Sequence, residues 1–383
     1  MLSGSHRTAG MLALSAVAMP FAALAGEDKP TVGLTYVADV LANVEGGARR
    51  GSGWLGRADL TFELPGSAFG WDRVDFFADL MLVHGNDFSE RYVQDAQVVS
   101  NVDAPSVVRP IEIWANIDLD AGNRLKLGVI DLNGEFDIQE VGGHFINSSH
   151  GIGPDFSQSG LNGPSIFPNT SLGAVFEHAR DGYAVRLGVF DALPGTLSHP
   201  DRLALRVPDE FGTLLVGEGQ LNLSSRFLLR LGGWRYTKSF ERLDPQDPGY
   251  GRSAGAYAMA EGQLAEWGGR ALDGWVRVGS AKKEVNPISA SFGSGVTYGS
   301  EDHKFGLAVS YARLGGPAQA QFRDEGVLPD RAETVWELTY AARVAEWLQV
   351  QPNLQYVVNP GWDRDRENAL VVGVRFSLDL TLH

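Results

Sequence analysis

Cysteine is missing from all 383 residues. For an exported chain, that excludes a disulfide framework and thiol chemistry. Long apolar runs are missing too. Past residue 25, no segment approaches the roughly 18 consecutive apolar residues that a membrane-spanning helix needs. Basic residues are the minority, with 32 Lys and Arg against 47 Asp and Glu and a formal net charge of −15. Nucleic acid, whose phosphates call for a basic footprint, is therefore not an expected partner. The sequence has no H-E-x-x-H spacing, no phosphate-cradling glycine motif and no G-x-S-x-G elbow. Neither a metal nor a cofactor is expected.

The first residues present are those of an export signal. His6 and Arg7 make a weakly basic start, an apolar stretch runs from Met11 to Leu24, and Ala23-Leu24-Ala25 forms an A-x-A site. This predicts a signal peptide over 1–25, cleaved at about Ala25/Gly26, and one mature domain over 26–383. The domain is not oily on average: mean hydropathy is −0.11. Its 47 glycines and 10% aromatics suit a chain of many turns with one apolar and one polar face. If such a chain enters a membrane it does so as a closed barrel, because only helices and barrels satisfy their backbone groups in lipid. An acidic soluble periplasmic protein is the competing class.

Period-two alternation favours the barrel. Leu348, Val350, Pro352, Leu354 and Tyr356 share one face, and Gln349, Gln351, Asn353 and Gln355 the other. That is a strand with one apolar and one polar side. Pro352 cannot donate to a ladder, so a local distortion is expected there. Ala58, Leu60, Phe62 and Leu64 alternate in the same way with Arg57, Asp59, Thr61 and Glu63. Ile111, Ile113, Ala115, Ile117 and Leu119 alternate with Glu112, Trp114, Asn116, Asp118 and Asp120. A β-sandwich would explain one such surface. Many consecutive segments of about ten residues match the span of a tilted transmembrane strand.

About sixteen segments start near residues 31, 54, 73, 109, 123, 171, 182, 212, 226, 253, 271, 289, 303, 333, 346 and 367. Tight connections, such as 120–122, 179–182, 224–225, 300–302 and 344–345, alternate with long ones at 85–108, 133–170, 191–211, 238–252 and 313–332. Short turns on one side and long loops on the other are the pattern of outer-membrane barrels. The fold class is therefore all-β: an antiparallel transmembrane barrel of about sixteen strands. A lumen of that size is an open channel unless something narrows it. The longest loop, 133–170, the third on the long-loop side, folded into the lumen, is the economical constriction. The alternative is a loop that covers the mouth.

Several stretches resemble the carbohydrate-selective porin family (porin B). They are Ser100-Asn101-Val102-Asp103-Ala104-Pro105, Glu112-Ile113-Trp114 and the run from Gly143 to Gly151. The run from Glu337 to Gly361 matches best, and Asn368 to Arg375 continues it. The resemblance implies a sixteen-stranded barrel in the outer membrane, surrounded by lipid and lipopolysaccharide. It implies a monomer rather than a trimer, and a narrow pore for small sugars such as glucose-like monosaccharides.

A sugar-preferring pore needs charged groups for paired hydrogen bonds and an aromatic plate for the ring face. The inward positions that fit are Arg57, Asp59, Glu63, Asp75, Asp79, Glu112, Trp114, Arg124, Lys126, Arg186, Arg230, Trp234, Trp275, Arg277, Glu337 and Arg343. Each charge could equally be a wet wall residue or half of a cross-strand ion pair. Tyr36, Phe62, Phe176, Tyr183, Phe227, Tyr311, Trp336 and Tyr340 fall on the opposite face, as aromatic girdles would. A general or organic-acid channel, with arginines drawing anions, and an adhesion barrel worked by its loops are the alternatives. His144 and His150 beside Ser148 and Ser149 are the one arrangement that suggests a hydrolase. They share a single loop without an orienting carboxylate, so no enzyme is expected.

Overall fold

Side chains that alternate in character demand a sheet with unlike faces, and a sheet in lipid must close to leave no edge unpaired. The computed structural model describes residues 29–380 apart from 86, 121, 197–202, 204 and 206–210. The expected signal peptide, 1–25, lies outside the described residues. Among the described residues sixteen strands form one closed barrel. They are β1 Thr31–Glu45, β2 Gly51–Pro65, β3 Val74–His84, β4 Val107–Asp120, β5 Asn123–Ile130, β6 Ser171–Arg180, β7 Tyr183–Asp191 and β8 Thr213–Asn222. Next come β9 Phe227–Glu241, β10 Tyr250–Trp267, β11 Arg270–Ala281, β12 Ile288–Gly299, β13 His303–Leu314, β14 Ala332–Ala345, β15 Leu348–Val358 and β16 Ala369–Asp379. Each strand pairs antiparallel with its sequence neighbours, and β1 closes the ring on β16. The strand starts agree with the periodicity reading to within about three residues.

The outer surface is apolar, as alternation requires. Val276 and Val278 on β11, Trp336 and Leu338 on β14, and Leu354 and Tyr356 on β15 are all exposed, while Arg277, Glu337 and Gln355 between them are buried. The girdle residues Phe62, Tyr183, Phe227 and Trp336 are exposed on this outer face.

The sequence reading is corrected at two places and met at a third, Pro352. The expected long connection 238–252 shortens to 242–249, since β9 runs to Glu241 and β10 begins at Tyr250. In β4 a bulge lets Asp79 pair with Glu112 and Leu80 with Pro110, so Ile111 is extra. Ile111, expected on the lipid face, turns inward and is buried with Met81, Val83 and Ala104. A bulge moves a side chain to the other face at the cost of one unpaired residue. At Pro352 the ladder to β14 has a gap between the Thr339–Asn353 and Ala342–Val350 pairs, but the register does not slip. Thr339 Oγ1 instead donates to the Pro352 carbonyl at 3.0 Å and accepts from Gln351 Nε2 at 3.0 Å. The missing N–H costs a bridge, not a bulge.

The second and third connections on the long-loop side, 85–106 (L2) and 131–170 (L3), pack against inward-facing residues. L2 buries Phe88, Val93, Val99 and Val102 against Val37, Leu41, Leu55, Val335, Val357 and Val371. These wall valines and leucines occupy inward positions, where the polar face of the alternation is interrupted. L3 carries a helical turn, α1 (Pro154–Ser157), and lies against β11 and β12.

Candidate functional site: the loop-lined lumen

L3 contains five carboxylates, at Asp131, Glu135, Asp137, Glu140 and Asp155, and no Lys or Arg. The wall supplies the missing cations. Arg277 on β11, fully buried, gives Nε and Nη2 to the two oxygens of Asp137 at 2.7 and 2.8 Å, and Nη1 to Asp155 at 2.6 Å. Such fork geometry suits guanidinium and carboxylate. Gly153 is needed beside it: a Cβ there would stand 1.8 Å from the Arg277 Cζ. Lys126 on β5 pairs with Glu135, and Arg230 on β9 with Glu140 and with Glu261 on β10.

Wall carboxylates hold the loop backbone in return. Glu337 on β14 accepts from the Ile146 and Asn147 amides at 2.7 and 2.9 Å. Glu112 accepts from Asp131 N, Glu218 from Asp137 N and Glu261 from Val141 N. Every residue from Asp137 to Val141 is thereby fastened, since Ile138 O accepts from Arg230 and Gln139 Oε1 accepts from Trp275 Nε1. L2 and L3 are also bonded to each other, Asn101 N to Ile146 O and Ser148 N to Val98 O.

The three tryptophans expected to offer a plate to solute all point inward, but their faces are covered. Trp114 lies between Phe77, stacked at 4.9 Å, and Lys126, whose ammonium sits 3.9 Å from the ring centroid. Its Nε1 donates to Glu112. Trp234 is stacked almost parallel on Phe156 of L3, at 5.1 Å. Trp275 packs against Phe145 and His150 of L3. Trp234 and Trp275 hold the loop, Trp114 is covered by wall residues, and Arg277 and Glu337 are likewise spent on the loop.

The other expected inward residues fall into two sets. Arg57, Asp59 and Asp79 form one wall network, with Arg57 giving Nε to Asp59 at 2.8 Å and lying over Phe167 of L3. Arg186 bridges Glu177 and Glu218 on its neighbours. Glu63, Asp75, Arg124 and Arg343 sit near the short turns, away from L3; Arg124 pairs with Asp118 and Arg343 with Asp302. Sequence reasoning missed Asp39, Glu218, Glu261, Glu333 and Arg375. Arg375 holds Asp39 through two bonds of 2.7 Å, and Glu333 caps the Ala96 and Gln97 amides of L2. All five were readable as polar-face positions of their strands.

Within L3, burial pushes the Asp137 carboxyl up to about 6 against the pull of Arg277. Burial, with Lys304 adding to it, lowers the His144 imidazole to about 4, and burial alone takes His150 to about 3. Both rings are neutral at physiological pH. His150 Nε2 lies 3.6 Å from Glu337, beyond hydrogen-bonding reach, and its ring packs between Phe145 and Trp275. No nucleophile is activated by that arrangement.

The sequence profile described as carbohydrate-selective porin, OprB family, matches residues 53–380. A 39-residue segment is 49% identical to Porin B of Pseudomonas aeruginosa, covering 10% of this chain and 9% of that protein. The high-pH structure of Pseudomonas putida OprB superposes with a TM-score of 0.83 at 19% identity, over 92% of this chain and 94% of that one. The low-pH structure of the same protein gives 0.58 at 16% identity, over 92% and 93%. At such identities the structural likeness speaks for the barrel fold.

Proposed function

The chain belongs to the carbohydrate-selective porin, OprB family, and from that premise we propose that it is a passive outer-membrane channel for small neutral sugars of the glucose type. The family and the barrel point to a channel rather than a catalyst. Residues 1–25 direct export and are removed at about Ala25/Gly26. The mature barrel stands in outer-membrane lipid and lipopolysaccharide as a monomer, with the short turns in the periplasm and the long loops outside.

One observation carries the neutral-solute reading. Eight inward cations, Arg57, Arg124, Lys126, Arg186, Arg230, Arg277, Arg343 and Arg375, each have a carboxylate partner within 4 Å. At these positions the positive charge is offset by carboxylate, while the donors and acceptors remain. Such a wall suits a polar, uncharged solute and leaves little unpaired positive field to draw organic anions. The wall residues with partial access to water, Arg57, Asp59, Arg124, Arg186 and Arg343, are the ones we assign to solute contact.

Liposome swelling tests the proposal. Glucose should enter faster than an uncharged non-sugar of equal size. Equal rates would remove the sugar preference, and no swelling at all would remove the channel.

A further inference from the structure

Of the five L3 carboxylates, four are taken up by the protein. Asp131 accepts from the Asn133 and Phe167 amides, Glu135 is buried against Lys126, and Asp137 and Asp155 are buried on Arg277. Glu140 is different: its side chain is 58% exposed, yet it lies in the middle of the most tightly fastened stretch of the loop. Its neighbours on both sides are bonded to the wall, through Gln139 to Trp275 and Val141 to Glu261. Its own Oε1 accepts from Arg230 Nη2 at 3.0 Å, and among the described residues none donates to Oε2. Arg230 is itself buried and already paired with Glu261 at 2.6 Å. The result is a carboxylate that is held in place and still open to solvent, on a strap fastened to the barrel wall.

We propose that Glu140 is a selectivity-determining residue of the passage, accepting hydroxyl hydrogens from a neutral sugar and repelling anionic solutes of the same size. This rests on the sugar-channel reading and adds the residue that discriminates by charge. An immobile acceptor suits a vicinal diol because its position is fixed before the solute arrives, so little ordering entropy is lost on contact. Its charge is not cancelled twice over. Arg230 is shared between two carboxylates, Glu140 and Glu261, so it is not devoted to Glu140 alone.

The test compares wild-type protein with Glu140→Gln, which keeps the size and can still accept from Arg230. Two readouts are taken in lipid bilayers: the reversal potential in a potassium chloride gradient, and the entry rates of glucose and glucuronate, which are similar in size and differ in charge. The substitution should lower the potassium-to-chloride permeability ratio about threefold and raise glucuronate entry relative to glucose by a similar factor, the effect of removing one unit charge several ångströms away in water. Glu325→Gln, an exposed acid in the connection after β13, should change neither. Unchanged ratios for Glu140→Gln would overturn the proposal. A wild-type channel indifferent to sugars would overturn the sugar reading instead, and the ion ratio would still decide whether Glu140 acts by charge.

Discussion

The two inward loops differ in how much charge fastens them. L2 lands on Val37, Leu41, Leu55, Val335, Val357 and Val371 and is held by apolar burial together with polar bonds to Glu333, Asp39 and Arg375. L3 buries Leu132, Phe136, Ile152 and Phe156 among Val175, Phe190, Leu214, Val216 and Trp234, and adds buried ion pairs and charge-assisted bonds to Arg277, Lys126, Arg230 and Glu337. An apolar contact is non-directional and tolerates small shifts. A buried guanidinium between two carboxylates has one good geometry, and a vacancy leaves an unpaired charge out of water. L3 is the loop with the more exacting attachment. L2 backs it through the Asn101–Ile146 and Ser148–Val98 bonds.

This contrast can be broken at either end. The largest effect is expected from Arg277→Met, which strands Asp137 and Asp155 and should cost the docked loop roughly 3–5 kcal/mol. Single-channel recordings should show higher, noisier conductance, and proteolysis should reach L3. Phe88→Ala, in the apolar landing of L2, should cost about 3 kcal/mol through the cavity it leaves. Cleavage should then appear in L2 first, with conductance close to wild type. Glu337→Gln replaces two charge-assisted acceptors by one neutral acceptor and one donor. It should weaken the Ile146–Asn147 anchor by about 1.5–3 kcal/mol, read as faster amide exchange at those two residues.

The smallest effect concerns pH. The folded-state pKa of His144 lies near 4, below its ordinary 6.5, so the neutral ring is favoured in the docked loop. An undocked loop therefore binds the proton more readily, and the contribution is complete above pH 6.5 and lost as pH falls toward 4. Protection of the amides around residue 144, corrected for intrinsic exchange, should decline over that window. His144→Gln should flatten the decline.

Most of the barrel was legible in the sequence because lipid and water impose period two on every strand. The starts of β1, β5, β6 and β13 fall at the expected residues 31, 123, 171 and 303. The inward orientation of Arg57, Trp114, Trp275, Arg277 and Glu337 followed from the same rule. What did not follow is what each inward residue meets. Arg277 binds Asp137 from 140 positions away, and Trp234 stacks on Phe156 of L3. No local pattern encodes such a partner. The inward valines under L2 read as breaks in alternation, and only the landed loop explains them. The Ile111 bulge was hidden for a similar reason: it moves one residue across the sheet without disturbing the composition of β4.

The central claim is that L3 lies in the conducting path, fastened by its Asp137–Val141 strap. Because the chain has no cysteine, a Glu140→Cys variant carries a single thiol, and modifying it with a bulky charged reagent during a single-channel recording tests the claim directly. A stepwise, thiol-specific fall in conductance is predicted. Complete labelling with no change in conductance would contradict it.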